Sequence, residues 1–551
     1  MRYAITCISQ IIVPRQGEQL LVYIFYDLET SDLDRDFAQI FQIAMVFADD
    51  DMNMLSSKDL KCKKLPWIVP SPGAMLITGF TPDDLKKTKM THLEMMDEVD
   101  AWVRSQHWPL TFIGYNSLKF DEPVLRQGLH QTLHDPFLTT GRKNWGDTPN
   151  GRADVMNMVK AVHMFAPGTL KLDIKTPSGN PSMTLGNVCA QNGVPLAEED
   201  AHDALVDVKA TIGVAKLIKT AAPEIFKQMM SLTTKDSVDQ FLKTTDVFAY
   251  GQCPYGEYHA SITTSITDNK TYNGENIVFD LSFDPKEFLD LSVDEIADLM
   301  KQRYDDKYKQ PFQAVQKNSQ PILLPVDQAD AIRPAELDDK TLKKRLALIK
   351  NNPDFRDKVA KAAAKARPVF KAGDEIEQKI YDFPNSTVRR QLDTWINEFK
   401  SADWSERVDL INGFSKKFEQ GIKKQPSLKR YMQFAQRVVY ADAPEKMSES
   451  RRNAYAKAIY ARMTSDDQET HIVTTKRARE ELVEIEKARA DGAPQWKHVT
   501  DTQVRSLKLF YTSLEREFKE SSEKKPPAHH NDNPNELNEK PVRRFLGGFK
   551  K

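Results

Sequence analysis

The eleven residues LLVYIFYDLET, 20–30, decide how the chain folds. A continuous apolar and aromatic run of this length suits a strand buried within a sheet. It ends on two acids, Asp27 and Glu29. Two positions apart on a strand, their side chains leave the same face. In open α/β sheets ligands bind beyond the carboxyl ends of the strands. Two carboxylates placed there, with no lysine or arginine in the strand to pair them, repel each other unless a cation intervenes. Oxygen ligands of this kind suit Mg2+ or Mn2+ rather than zinc.

Outward from that strand, FQIAMVFADD (41–50) and LTFIGYN (110–116) read as further strands. DEPVLRQGLH then opens a helix, with Asp121 placed to cap it and Pro123 tolerated in its first turn. DALVDVKATIGVAKLIK (203–219) sets Leu205, Val208, Ile212 and Ala215 on one helical face. Strands followed by interleaved helices predict an α/β domain over 22–220, after an extension at 1–21. From 221 to 373 the short β-prone pieces DVFAYGQ, HASITTSIT and NIVFDLSF predict a small β-rich domain, with SVDEIADLMKQRY as a helical insert. Residues 374–519 read as helical. The polar tail 520–551 is expected to be disordered until its end, RRFLGGFKK.

At 551 residues the chain exceeds a single ordinary core. Its net charge of −1 says nothing for or against nucleic acid, because a groove can hold positive potential in a neutral protein. Local charge does vary. Within 341–371, Lys343, Lys344, Arg345, Lys350, Arg356, Lys358, Lys361, Lys365, Arg367 and Lys371 face only Asp354 and Asp357. Cys7, Cys62, Cys189 and Cys253 lack metal or disulfide spacing, which fits a reducing compartment. No apolar run is long enough to span a bilayer, and the first residues do not read as a signal peptide. The expected location is cytoplasmic.

Further acids follow in chain order: Asp121, then Asp207, which His202 precedes by five. Singly, each has an ordinary explanation. Asp27 and Glu29 suit an exposed turn, Asp121 a helix cap, Asp207 a solvated helix face and His202 a surface histidine. Together, within one α/β unit, they are harder to dismiss.

YDLET, the FD at 120–121 and HDALVD at 202–207 resemble the DEDDh group of 3'→5' exonucleases, whose fold is ribonuclease H-like. The intervening text narrows this. PGAMLITGFTP (72–82), GYNSLKFDEPVLR (114–126), HDPF (134–137) and AHDALVDVKATIGVAKLIK (201–219) resemble bacterial exonuclease I. So do NSQPILLP (318–325), the Arg333-Pro334 pair, LKKRLALIKNNPDFRDKV and EQKIYDFP (377–384), over roughly 22–515.

The resemblance implies an SH3-like domain at 221–373 and a C-terminal helical domain at 374–519. It implies a monomer that degrades single-stranded DNA to 5'-mononucleotides, in repair and recombination. Asp27, Glu29, Asp121 and Asp207 would hold two Mg2+ ions, with Mn2+ as a substitute, and His202 would be the base. Substrate would be met by Glu29, Arg126, Phe137, Lys160 and Thr184. Phe137 and Lys160 stand where the family has tyrosine and arginine, and Thr184 replaces a substrate-binding arginine. The acidic tail of single-stranded DNA-binding protein is the implied partner. Two alternatives stay open: an RNA-degrading DEDDh enzyme, and a degenerate module that binds DNA ends without cutting. QVRSLKLF (503–510) loosely matches a sliding-clamp peptide, although Leu507 and Phe510 are better read as core.

Overall fold

β1 (Tyr23–Thr30) lies at the middle of a five-stranded sheet in the computed structural model, which describes residues 22–142, 147–196, 202–302, 310–368, 373–467 and 471–523. β2 (Ile40–Ala48) and β3 (Met54–Lys61) continue from it as an antiparallel meander. β4 (Thr111–Gly114) and β5 (Gly151–Asp154) lie parallel to β1 on its other side, giving the order β3-β2-β1-β4-β5. Helices α1 (Pro72–Thr78), α2 (Pro82–Lys87), α3 (His92–Arg104), α4 (Asp121–Gln131), α5 (Val155–Phe165), α6 (Leu185–Asn192) and α7 (Ala204–Ala221) complete this domain.

The period-two pattern of β1 divides its side chains between two cores. Tyr23 and Phe25, with Ala44 and Val46, join residues of α5 and α7. Ile24, Tyr26 and Leu28, with Ile43 and Met45, join residues of α3 and α4. Burying each large side chain contributes about 1.5–3 kcal/mol, so the doubly covered strand is firmly held.

Two helices, α8 (Pro223–Ser231) and α9 (Lys235–Thr244), lead into a second sheet. Its strands are β6 (Phe248–Gln252), β7 (His259–Asp268), β8 (Glu275–Asp280), β9 (Phe312–Gln316) and β10 (Ile322–Pro325), all antiparallel, in the order β10-β6-β7-β8-β9. α10 (Val293–Lys301), α11 (Asp339–Lys350) and α12 (Pro353–Ala366) cover it. Most of the basic residues in this region anchor the helices. Arg345 donates to the Leu281 carbonyl, Arg356 to Ile266 and Lys358 to Leu289. Lys350, Lys361, Lys365 and Arg367 pair with Asp246, Asp357, Asp294 and Glu275. Lys371 lies outside the described residues.

The C-terminal region is helical: α13 (Ser386–Ser401), α14 (Trp404–Lys417), α15 (Glu419–Lys424), α16 (Lys429–Asp442), α17 (Glu449–Met463), α18 (Thr475–Ala490) and α19 (Asp501–Glu523). α19 runs four residues past the expected end at 519. These helices fold back on the first domain. Tyr511 donates to the Pro70 carbonyl at 3.0 Å, and Glu481 accepts from the Gly73 amide at 3.0 Å. Trp67 and Met75 share one core with Trp395 and Phe434. Leu507 and Phe510 are buried as expected, so QVRSLKLF presents no clamp-binding face. The extension 1–21 and the tail 524–551 fall outside the described residues. No described helix is long and apolar enough to cross a membrane.

Candidate active site

The apolar stripe that Tyr23 and Phe25 present toward α7 continues, at the strand end, as Asp27 and Glu29. α7 brings the next acid. Asp203 caps that helix by accepting from the Leu205 amide at 3.1 Å, and Asp207 follows in the first turn. One oxygen each from Glu29 and Asp207 and a ring nitrogen of His202 lie within 4.8 Å of one another. Asp121 arrives from the opposite face of the sheet, at the start of α4. It is not the expected cap: Phe120 occupies that position, and no side chain caps the helix. The carboxyl group points instead toward β1, where the Leu28 amide favours its ionised form. Gly114, at the end of β4, lets the following turn pack closely on β1. A Cβ there would stand 2.4 Å from the Ser117 Cβ and 3.0 Å from the Tyr26 carbonyl oxygen.

The charges of these acids act on one another. Burial, then Asp121, Glu29, Asp207 and Asp203, hold Asp27 well above the usual carboxylate range. Burial with Asp207 and Asp121 pushes Glu29 up to about 9. Asp121 rises to about 7, through burial and then the nearby Asp154 charge. Asp207 rises to about 6, again chiefly through burial. Among the described residues, none of the four forms an ion pair with lysine or arginine. Buried like charges without a counter-ion are unfavourable unless protonated or bound to cations. An oxygen donor set of this kind fits hard divalent cations.

His202 is exposed and holds a left-handed backbone at φ +70°. Partial desolvation of its ring, then the His498 charge, lower its pKa from the ordinary value, which favours the neutral imidazole.

The expected substrate contacts separate into two groups. Arg126 donates to Glu122 at 2.6 Å and to the Tyr381 hydroxyl at 2.7 Å, and its guanidinium lies 5.1 Å from the Phe137 ring centroid. Phe137 is half-buried and sits 5.9 Å from Tyr381 and 5.6 Å from Phe383, both of which are exposed. Lys160 is buried rather than solvated, near Asp154 and Lys119. Thr184 is exposed at the start of α6, with Ser182 Oγ 3.4 Å from its hydroxyl.

Three features escaped the sequence reading. Asp154 closes β5 and backs the site, accepting from the Asn116 amide at 2.8 Å and the Met156 amide at 3.0 Å. Its position just ahead of an apolar helical run was the available clue. Tyr381 and Phe383 lie within EQKIYDFP, but their proximity to Phe137 depends on how the helical domain folds back. Asp203 was hidden beside His202.

Residues 234–365 match the family model of the exonuclease I SH3-like domain. The chain is similar to exodeoxyribonuclease I. It is 26% identical to exodeoxyribonuclease I of Escherichia coli K12 over 382 residues, covering 66% of this chain and 77% of that protein. The fold agrees with exonuclease I of Methylocaldum szegediense, a moderately thermophilic enzyme, at a TM-score of 0.70 and 21% identity, over 90% of this chain and 99% of that one. It agrees equally with E. coli exonuclease I in complex with a dA16 oligonucleotide, at a TM-score of 0.70 and 19% identity, over 90% and 100% of the two chains. The exonuclease I likeness thus spans the α/β domain, the β-rich domain and the helical domain together.

Proposed function

We propose that this chain is a 3'→5' exodeoxyribonuclease that shortens single-stranded DNA to 5'-mononucleotides. The observation that supports the reading is that Glu29, Asp207 and His202 lie within ligand reach of one another, with Asp27 and Asp121 close enough for their charges to be felt by the same group. The first four would hold two Mg2+ ions, with Mn2+ able to replace them. Bound there, such ions supply a water of lowered pKa and neutralise charge on the leaving 3' oxygen. His202 takes the proton of the attacking water at a ring nitrogen. The buried walls of β1 and α7 keep bulk water from screening that charge.

Arg126 and Phe137, with Tyr381 and Phe383, receive the strand behind the scissile bond. The charge meets a phosphate, and the rings stack on bases without regard to sequence. A cleft of about 460 Å³ lined by Leu33, Arg126 and Tyr381 adjoins them. Lys160, although buried, is a further proposed substrate contact. Thr184 supplies one hydrogen bond where the family arginine supplies charge.

A solved relative is an SSB/exonuclease I complex. An acidic tail of that kind is the partner proposed here, with Lys343 and Lys344 exposed on α11 to meet it. The substrate assignment is tested with matched DNA and RNA oligonucleotides in Mg2+. Faster removal of ribonucleotides would replace it with the RNA-degrading alternative.

A further inference from the structure

Gln42 stands directly across the β1–β2 ladder from Glu29, and Lys61 directly across the β2–β3 ladder from Gln42. The three side chains therefore leave one face of the sheet in a row. Gln42 is buried, and its Nε2 donates to Asp203 Oδ2 at 3.2 Å and to Asp59 Oδ1 at 2.8 Å. Lys61 Nζ lies 3.5 Å from the same Asp203 oxygen. The other oxygen, Oδ1, accepts from the Leu205 amide at 3.1 Å. One carboxylate is thus held by the sheet on one side and by the helix on the other. The residue immediately before it is His202, at φ +70°. A residue bearing a Cβ keeps that conformation only where its surroundings over-determine it.

We propose that Asp203, braced by Gln42 and Lys61, is the positioning residue for His202. The brace holds the peptide at 202–203 so that the imidazole stays beside Glu29 and Asp207. This rests on the reading of His202 as the base of phosphodiester hydrolysis. A simple helix cap would stabilise α7 alone. The row through Gln42 and Lys61 ties the same carboxylate to the strand ladder that carries Glu29, so the histidine and that acid move as one unit.

The test uses the full chain with Mg2+ and a labelled single-stranded oligonucleotide. Gln42→Met, Lys61→Ala and Lys61→Arg are each measured alone and combined with His202→Ala. Gln42→Met should lower kcat roughly tenfold with KM within about twofold, the size typical of losing an orienting partner. Lys61→Ala should act in the same direction, and Lys61→Arg should restore activity. In the His202→Ala background the further loss should shrink to under about twofold, because the brace acts through a ring no longer present. Equal losses in both backgrounds, or a rise in KM alone, overturn the proposal. If Gln42→Met does not fold, the Lys61 variants decide by the same criteria. A parent chain that cuts no oligonucleotide overturns the hydrolase reading and this one with it. A cutting parent with unaffected variants overturns this one alone.

Discussion

Arg126 of α4 donates from Nη1 to the Tyr381 hydroxyl at 2.7 Å, joining residues 255 positions apart in the chain. The bond fastens the helical domain to the catalytic one where Phe137, Tyr381 and Phe383 gather. Rings left exposed at a domain junction, beside a guanidinium, are suited to stack on bases. Tyr381→Ala and Phe383→Ala are expected to weaken single-stranded DNA binding by about 1–3 kcal/mol for each base unstacked. Fluorescence anisotropy with a labelled oligonucleotide measures this. Unchanged affinity would reduce the rings to packing.

Asp27→Asn and Asp207→Asn remove charge from the cluster without changing side-chain volume. Hydrolysis should fall to background while circular dichroism and melting stay native-like. A folded Asp27→Asn protein that still cuts at the parent rate would show that the acids do not carry the chemistry.

His202→Ala should slow turnover by roughly 10²–10⁴-fold, the usual cost of losing a positioned acid–base group. Steady-state kinetics should place the loss in kcat. An effect confined to KM would make the ring a binding contact.

The raised acids make stability depend on pH with a definite sign. Glu29 moves from 4.5 to about 9, Asp121 from 3.8 to about 7 and Asp207 from 3.8 to about 6. Between those values the folded state holds protons that the unfolded chain releases. Their favourable contribution is complete below the unfolded values and is lost as pH rises through the folded ones. Without metal, Tm should therefore fall between about pH 6 and pH 9 more steeply for the parent than for Glu29→Gln, and added Mg2+ should reverse the fall. Parallel melting curves with and without metal would contradict this.

Glu377 and Arg437 form a buried ion pair at 2.6 Å beneath the domain junction, and Gln127 of α4 donates to the Glu377 carbonyl at 3.0 Å. Glu377→Gln removes the carboxylate charge that faces Arg437 and Arg462 in this buried cluster and should cost about 3–5 kcal/mol in urea unfolding. A loss below about 1 kcal/mol would mean that other groups carry the charge balance.

Much of this was legible in the text of the chain because its cues are local. The run from Val22 to Leu28 suits a buried strand, and the two-residue step from Asp27 to Glu29 sets both acids on one face. Asp121 suits a helix cap by its place before an apolar helical run, but Phe120 holds the cap position. Lys160 is expected to meet substrate, yet neighbours distant in sequence bury it. The Gln42–Asp203–Lys61 brace and the Phe137–Tyr381 contact depend on strand register and domain docking. No local pattern encodes either.

The account stands on cutting from one end of a single strand. A DNA oligonucleotide labelled at its 5' end, incubated with the parent chain and Mg2+, should yield a ladder of labelled products that shortens stepwise from the 3' end, and no ladder with Asp27→Asn. Immediate release of labelled mononucleotide, or an intact strand after long incubation with either Mg2+ or Mn2+, would contradict it.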